Sequence, residues 1–299
     1  MSILKNFIKY QSLGNDFIIF DWYKRPASYM DNELQSTAWK QFIARICDRH
    51  YGIGADSVLI ITSCTQAGMP AMLIFNADGS QAEMCLNGLR CVAHYLFSTY
   101  KFPEHFSIKI GPRVIDCLVQ QCKSQPGLYE IISTVGMITY EGKKNITITA
   151  GNFEGHVVHI GNPHFIIFDK TTQDALLSYG KLIESHESFP NRTNVEFVWN
   201  PEMHTNEPHF NVMVYERGCG ITLACSSGAA AITGLLAEQG TITKNQKITL
   251  HMLGGNVLSW IDGYGNIVLQ ASAQQLFKGV LEDYIEEYRQ LQPQSLTQI

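Results

Sequence analysis

Apolar and polar positions alternate through much of this chain, and a period of two predicts strands with one face against a core. Alternating or β-branched runs predict strands at 16–21 (DFIIFD), 57–62 (SVLIIT), 71–76 (AMLIFN), 106–110 (FSIKI) and 128–133 (LYEIIS). A second series follows at 156–160, 164–168, 194–199, 209–215 and 266–271. Helical spacing is sparser. Residues 34–50 are amphipathic and end before Gly52. Beyond Cys85, the residues Leu89, Val92, Ala93, Leu96 and Phe97 recur on one helical face. Residues 229–240 are apolar nearly all round until Glu238, with Gly240 as a stop, which predicts a buried helix.

The two series are similar in their order. MLIFNADGSQAEMC leads to Cys85 and FNVMVYERGCGITLAC leads to Cys225. Each half reads strand, polar loop, Cys-x-x-Gly (Cys85 to Gly88, Cys225 to Gly228), then apolar helix. This predicts an α+β fold in which strands wrap buried helices in two pseudo-symmetric halves. Two such halves can face each other and bring two helix N-termini to one cleft.

Composition narrows the partners. The 299 residues are 45% hydrophobic and 16% charged, as in a globular protein with a full core. A net charge of −5 argues against nucleic acid or an anionic membrane as the main partner. No apolar run approaches the roughly 18 residues of a membrane span, and MSILKNFIKY is too short in its apolar part for a secretory signal; the expectation is cytoplasmic.

Eight cysteines could serve as disulfides, metal ligands or reagents. A cytoplasmic chain of this size does not need staples. No Cys-x-x-Cys occurs, and His156, His159 and His164 are separated by odd numbers, so no metal is expected. Cys47, Cys64, Cys91, Cys117 and Cys122 are expected as small buried hydrophobes, and Cys219 as packing. Cys85 and Cys225 differ because each opens a helix, where unpaired N–H groups and a partial positive charge favour the thiolate and attract a carboxylate. A thiolate on one face of an α-carbon and a thiol on the other can invert a stereocentre by proton transfer alone. Such chemistry needs no cofactor.

Six blocks in order carry a family resemblance: SLGNDFIIFD (12–21), DRHYGIGADSVLI (48–60), FNADGSQAEMCLNGLRC (75–91), GNPHFIIF (161–168), ESHESFPNRTNVEFV (184–198) and VYERGCGITLACSSGAA (214–230). They resemble the diaminopimelate epimerases over almost the whole chain. The resemblance implies Cys85 and Cys225 as the two acid–base groups, with His164 and Glu216 beside the reacting centre. It implies that the first-turn N–H groups of Leu86 and Asn87, and of Ser226 and Ser227, hold the reacting carboxylate. Asn15 is implied as a substrate contact, and Asn76, Asn162, Asn194 and Arg217 as holding the distal end of the substrate. It further implies a homodimer, and two domains at 1–133 plus 271–299 and at 134–270, with the site in the cleft between curved sheets or barrels. The activity implied is conversion of LL- to meso-diaminopimelate, in lysine and cell-wall precursor synthesis.

Bland roles exist for several of these residues. Asn76 and Asn162 could shape turns, His164 could be a core histidine, and Glu216 with Arg217 could be a surface pair. The chain also departs from the family, which usually has glycine after each catalytic cysteine where Leu86 and Ser226 stand. Ser57 stands where some members carry a glutamine, and Phe277 stands in place of a tyrosine associated with dimerisation. These departures leave open a racemase of another amino acid, of histidine or hydroxyproline type. Readings of another class are an inactive amino-acid-binding protein and a thiol redox protein.

Overall fold

A computed structural model describes residues 5–26, 34, 36–64, 68–122, 128–200 and 208–281. Residue 35 of the expected first helix and residues 282–299 of the expected first domain lie outside the described residues. By their contacts the described residues form two units, one within 5–12, 16–117 and 273–281, the other within 13–15 and 118–272.

The first unit contains β1 (Asn6–Ser12), β2 (Asn15–Pro26), α1 (Thr37–Cys47), β3 (Ser57–Ser63), β4 (Pro70–Asn76), α2 (Leu86–Tyr100), β5 (His105–Ile110) and most of β6 (Arg113–Gln121). The second contains β7 (Tyr129–Gly136), β8 (Thr139–Ile148), β9 (Gly151–His159), β10 (Pro163–Ile167), α3 (Gln173–Glu184), β11 (Asn194–Trp199), β12 (His209–Glu216) and β13 (Gly220–Thr222). It continues with α4 (Ser226–Glu238), β14 (Ile248–Met252), β15 (Gly255–Ile261) and the start of β16 (Ile267–Val280). In the first unit the strands run β1-β2-β3-β4-β5-β6, and the far part of β16 pairs antiparallel with β1. In the second the path is β7-β16-β15-β14-β12-β11-β10-β9-β8, with β13 on β12.

The repeat seen in the sequence is a repeat of topology. β2 is parallel to β3, β3 antiparallel to β4, and β4 parallel to β5. β10 is parallel to β11, β11 antiparallel to β12, and β12 parallel to β14, in the same order. α1 and α3 occupy the same place in each half, and nine residues (48–56 and 185–193) separate each from its next strand. α2 then follows β4, and α4 follows β12 after the short β13.

Local chemistry sets the helix limits. Ser36 accepts the Trp39 N–H at 3.1 Å and starts α1 at 37 rather than 34. Asp48 turns extended and its Oδ1 accepts the N–H groups of His50 and Tyr51, both at 2.7 Å, which ends the helix at 47 rather than 50. α4 begins at 226, not 229, because its cap is the cysteine itself. α2 is buried without a break from Leu86 to Leu96, and α4 from Gly228 to Leu236, as the apolar sequences require.

Other elements escaped the sequence pattern. α3 buries Leu176, Gly180, Ile183 and Glu184, but exposed Leu177 and Leu182 blur its periodicity. β8 alternates exposed and more buried positions, but Gly142 and Lys144 interrupt its inner face between Tyr140 and Ile146, so its apolar period is too short to read. β16 runs to Val280, well past the expected 271. Cys47, Cys91 and Cys117 are buried as expected, whereas Cys64 and Cys122 are half-buried and Cys219 is exposed.

Gly180 is where α3 touches β12. A Cβ there would lie 2.4 Å from the ring of Tyr215. Overpacking of this kind costs about 1–3 kcal/mol, so Gly180→Ala lowers the urea unfolding midpoint, and a midpoint equal to the parent's contradicts this packing.

Candidate active site

The same residue type caps α2 and α4. Cys85 (φ −149°, ψ 101°) and Cys225 (φ −113°, ψ 105°) are both extended N-cap residues. Each sulfur accepts the N–H three residues on, from Gly88 and from Gly228, at 3.3 Å in both cases. That third position is closely covered. A Cβ on Gly88 would stand 3.0 Å from both methyls of Leu59 on β3, and one on Gly228 would stand 2.7 Å from Oε1 of Glu196 on β11. Leu86 and Ser226 replace the family's glycines without strain, because each is the first helical residue and neither has a positive φ.

Three strands supply the groups beside Cys225. In the β10–β11–β12 register Ile166 lies opposite Glu196, and Glu196 opposite Val214. Steps of two along each strand then put His164, Glu196 and Glu216 on one face of the sheet. Side-chain hydrogen bonds run in sequence from this face to the helix mouth. Glu196 Oε1 meets His164 Nδ1 at 2.6 Å, and His164 Nε2 meets Asn162 Oδ1 at 3.1 Å. Asn162 Nδ2 donates to Ser227 Oγ at 3.2 Å, and Ser227 Oγ lies 3.3 Å from the sulfur of Cys225.

The electrostatics of this corner differ from the sequence expectation. A helix mouth was expected to favour the Cys225 thiolate. Instead burial, with Glu216 and Glu196 close by, pushes the thiol well above its ordinary value, and the Ser227 hydroxyl and Gly228 N–H offset this only in part. Burial of its own carboxyl pushes Glu216 up to about 7, against a hydrogen bond from Thr222 Oγ1 to Oε1 at 2.5 Å. Glu216 retains some surface as a residue, but its carboxyl group is enclosed, and the acidity follows the group.

Two of the residues implied for the distal end, Asn194 and Arg217, meet at the end of β12. Asn194 Oδ1 accepts the Arg217 N–H at 2.9 Å, and its Nδ2 donates to the Pro163 carbonyl at 2.9 Å. Arg217 Nη1 donates to the Asn191 carbonyl at 3.3 Å. Buried Glu184 holds the adjoining turn, accepting the Gly218 N–H at 3.0 Å and pairing with Lys181 at 3.1 Å and with Arg192. In the other half, Asn76 ends β4 opposite Ser57, and its Nδ2 donates to Ser80 Oγ at 3.0 Å. Glu216 ends β12 one residue beyond the Val195–Tyr215 pair, the matching place in the repeat. Asn15 is the first residue of β2 and half-buried. Asn87 is buried and accepts from the guanidinium of Arg90, whose Nε also donates to Ser12 Oγ at 2.9 Å.

A sequence profile described as diaminopimelate epimerase matches residues 7–123 and 156–275. The chain belongs to the diaminopimelate epimerase family. Relatives carrying that name include one from Prochlorococcus marinus (strain NATL1A), 33% identical over 290 residues, covering 93% of this chain and 99% of the relative. Another, from Carboxydothermus hydrogenoformans, is 34% identical over 283 residues, covering 91% of this chain and 98% of the relative. Among solved structures, a hydroxyproline epimerase from Agrobacterium vitis superposes with a TM-score of 0.67 at 10% identity over 93% of each chain. A probable proline racemase from Agrobacterium radiobacter K84 does so with a TM-score of 0.71 at 9% identity, over 93% of this chain and 92% of that one. At such identities the likeness is one of fold, and it places this diaminopimelate epimerase family member in the α+β two-domain epimerase fold.

Of the residues picked from sequence, the second unit brings together Asn162, His164, Asn194, Glu216, Arg217, Ser226, Ser227 and Cys225. Cys85, Leu86 and Asn87 open α2 in the first unit. Sequence reading missed Glu196, Glu184 and Arg90. Glutamate inside the apolar run NVEFVW and arginine inside the apolar helix were the available signals. Among the described residues no group of three or more His, Cys, Asp or Glu could hold a metal ion.

Glu216 carries a pH signature. Its folded value of about 7 exceeds the ordinary 4.5, so across that window the native state binds more protons than the unfolded chain. Stability therefore falls as pH rises from 4.5 to 7, by at most about 3 kcal/mol from this group. In urea titrations Glu216→Gln gains on the parent as pH rises through that window; parallel curves for the two proteins contradict the burial of this carboxyl.

Proposed function

We propose that this protein epimerises LL-diaminopimelate to the meso form by two-base proton transfer between Cys85 and Cys225, without a cofactor. The observation that carries the reading is the pair of helix starts at matching places of the repeat, each capped by a cysteine sulfur over a glycine N–H. In each direction one sulfur, as thiolate, takes the proton from the α-carbon. The released electron pair moves into the α-carboxylate, where the first-turn N–H groups at 86–87 and 226–227 receive it as a pair of aimed dipoles. The other sulfur, as thiol, delivers a proton to the opposite face. One Cα–H bond has broken and one has formed, and the thiol and thiolate have exchanged roles.

The corner of β10, β11 and β12 suits the acid of such a pair. Glu216 and His164 orient Cys225 and keep its proton near at hand. Asn194 holds the backbone of Arg217, whose guanidinium is a fork suited to a second carboxylate, and Asn76, Asn162 and Asn15 complete the contacts. That fork is what favours diaminopimelate over an amino acid with an apolar or imidazole side chain. The two units serve as the two epimerase domains, the working form is a homodimer, and the reaction belongs to the cytoplasm.

Cys85→Ala and Cys225→Ala each cut inversion of LL-diaminopimelate by at least about 10²-fold, with unchanged circular dichroism. A folded single variant at the parent rate sinks the two-base assignment. Arg217→Met raises KM for diaminopimelate by about tenfold to a hundredfold. An unchanged KM moves the distal carboxylate elsewhere and returns the substrate question to histidine or hydroxyproline.

A further inference from the structure

Glu196 has no part in the chemistry above, yet its placement is costly. It lies in the middle of β11, fully buried, where the neighbouring positions are Val195 and Phe197. Oε1 bonds His164, while Oε2 has no hydrogen-bond partner among the described residues. A buried carboxylate oxygen left without a donor is expensive, and an apolar residue would pack here at less cost. The first turn of α4 lies directly on this carboxylate: a Cβ on Gly228 would stand 2.7 Å from Oε1 and displace it.

The titratable groups facing Glu196 are His164 on β10, Glu216 on β12 and Cys225 at the mouth of α4. Glu196 is also the far end of the four hydrogen bonds that lead through His164, Asn162 and Ser227 to the sulfur. A negative charge enclosed beside a thiol opposes its ionisation, because the thiolate would be a like charge in a medium that screens poorly.

We propose that Glu196 is a positioning residue for Cys225: its enclosed carboxylate holds that sulfur in the protonated form and, through His164, Asn162 and Ser227, fixes where it points. The shift of the Cys225 thiol, upward from burial, Glu216 and Glu196 and downward from Ser227, agrees with both halves of this role. Cys225 then waits as the proton donor, which leaves Cys85 as the base of the resting protein. The inference rests on the acid–base reading of Cys225, but its test needs no amino-acid substrate.

In a Cys85→Ser background, the rate of iodoacetamide alkylation at Cys225 is followed across a pH series by peptide mass spectrometry. Glu196→Gln lowers the pH midpoint by about one unit, which is about tenfold faster alkylation below both midpoints. Glu196→Asp, with its charge drawn back by one methylene, moves the midpoint the same way by less. Ser227→Ala, at the other end of the chain, raises it. Opposite shifts from the two ends are not what general loosening produces. Midpoints equal to the parent's in folded Glu196→Gln and Glu196→Asp proteins overturn the proposal, and if the Gln variant does not fold, the Asp variant alone decides. Should the shifts appear while diaminopimelate is not inverted, Glu196 keeps its role and the substrate assignment falls.

Discussion

A sulfur in place of an oxygen at a helix cap is the interaction from which the rest follows. Helices usually begin on Ser, Thr, Asp or Asn, whose oxygens accept a first-turn N–H well. A neutral thiol accepts poorly, whereas a thiolate accepts well. Both α2 and α4 take the poorer cap, each sulfur accepting the N–H of a glycine three residues on. Local stability is given up at two matching points of the fold. The compensation is a thiol at each of two helix starts able to hold an anion.

The two helix starts are matched in backbone and unlike in charge. Around Cys225 the strands place Glu216 and Glu196, both carboxylates, with His164 bonded to one of them. Around Cys85 the nearby buried charge is the guanidinium of Arg90, held by Ser12 and Asn87. Acid and base work at one pH requires two similar groups pushed apart in acidity. The repeated topology carries the similarity, and single register positions carry the difference: Asn76 ends β4 where Glu216 ends β12.

Much of this was legible in the sequence because it lay in local patterns. The strands SVLIIT and NVEFVW and the Cys-x-x-Gly steps fall where the pattern placed them, and the apolar helix before Glu238 begins at 226 in place of 229. What was not legible depends on residues distant in the chain. α3 hid behind exposed Leu177 and Leu182, and the inner face of β8 is interrupted by Gly142 and Lys144. Glu196 reads as one polar letter in an apolar strand until register puts it beside His164 and under Gly228. The acidity of Cys225 could not be had from its place on a helix, since burial and two carboxylates outweigh the helix end.

The central claim is that two sulfurs serve one carbon from opposite faces, and solvent deuterium tests it most directly. LL-diaminopimelate is incubated with the protein in deuterium oxide and sampled at low conversion. Two bases predict a meso product carrying one solvent deuterium at the inverted carbon, while recovered LL substrate still carries hydrogen there. Recovered substrate that exchanges as fast as product forms, or product that keeps the original hydrogen, would mean a single base and contradict the account.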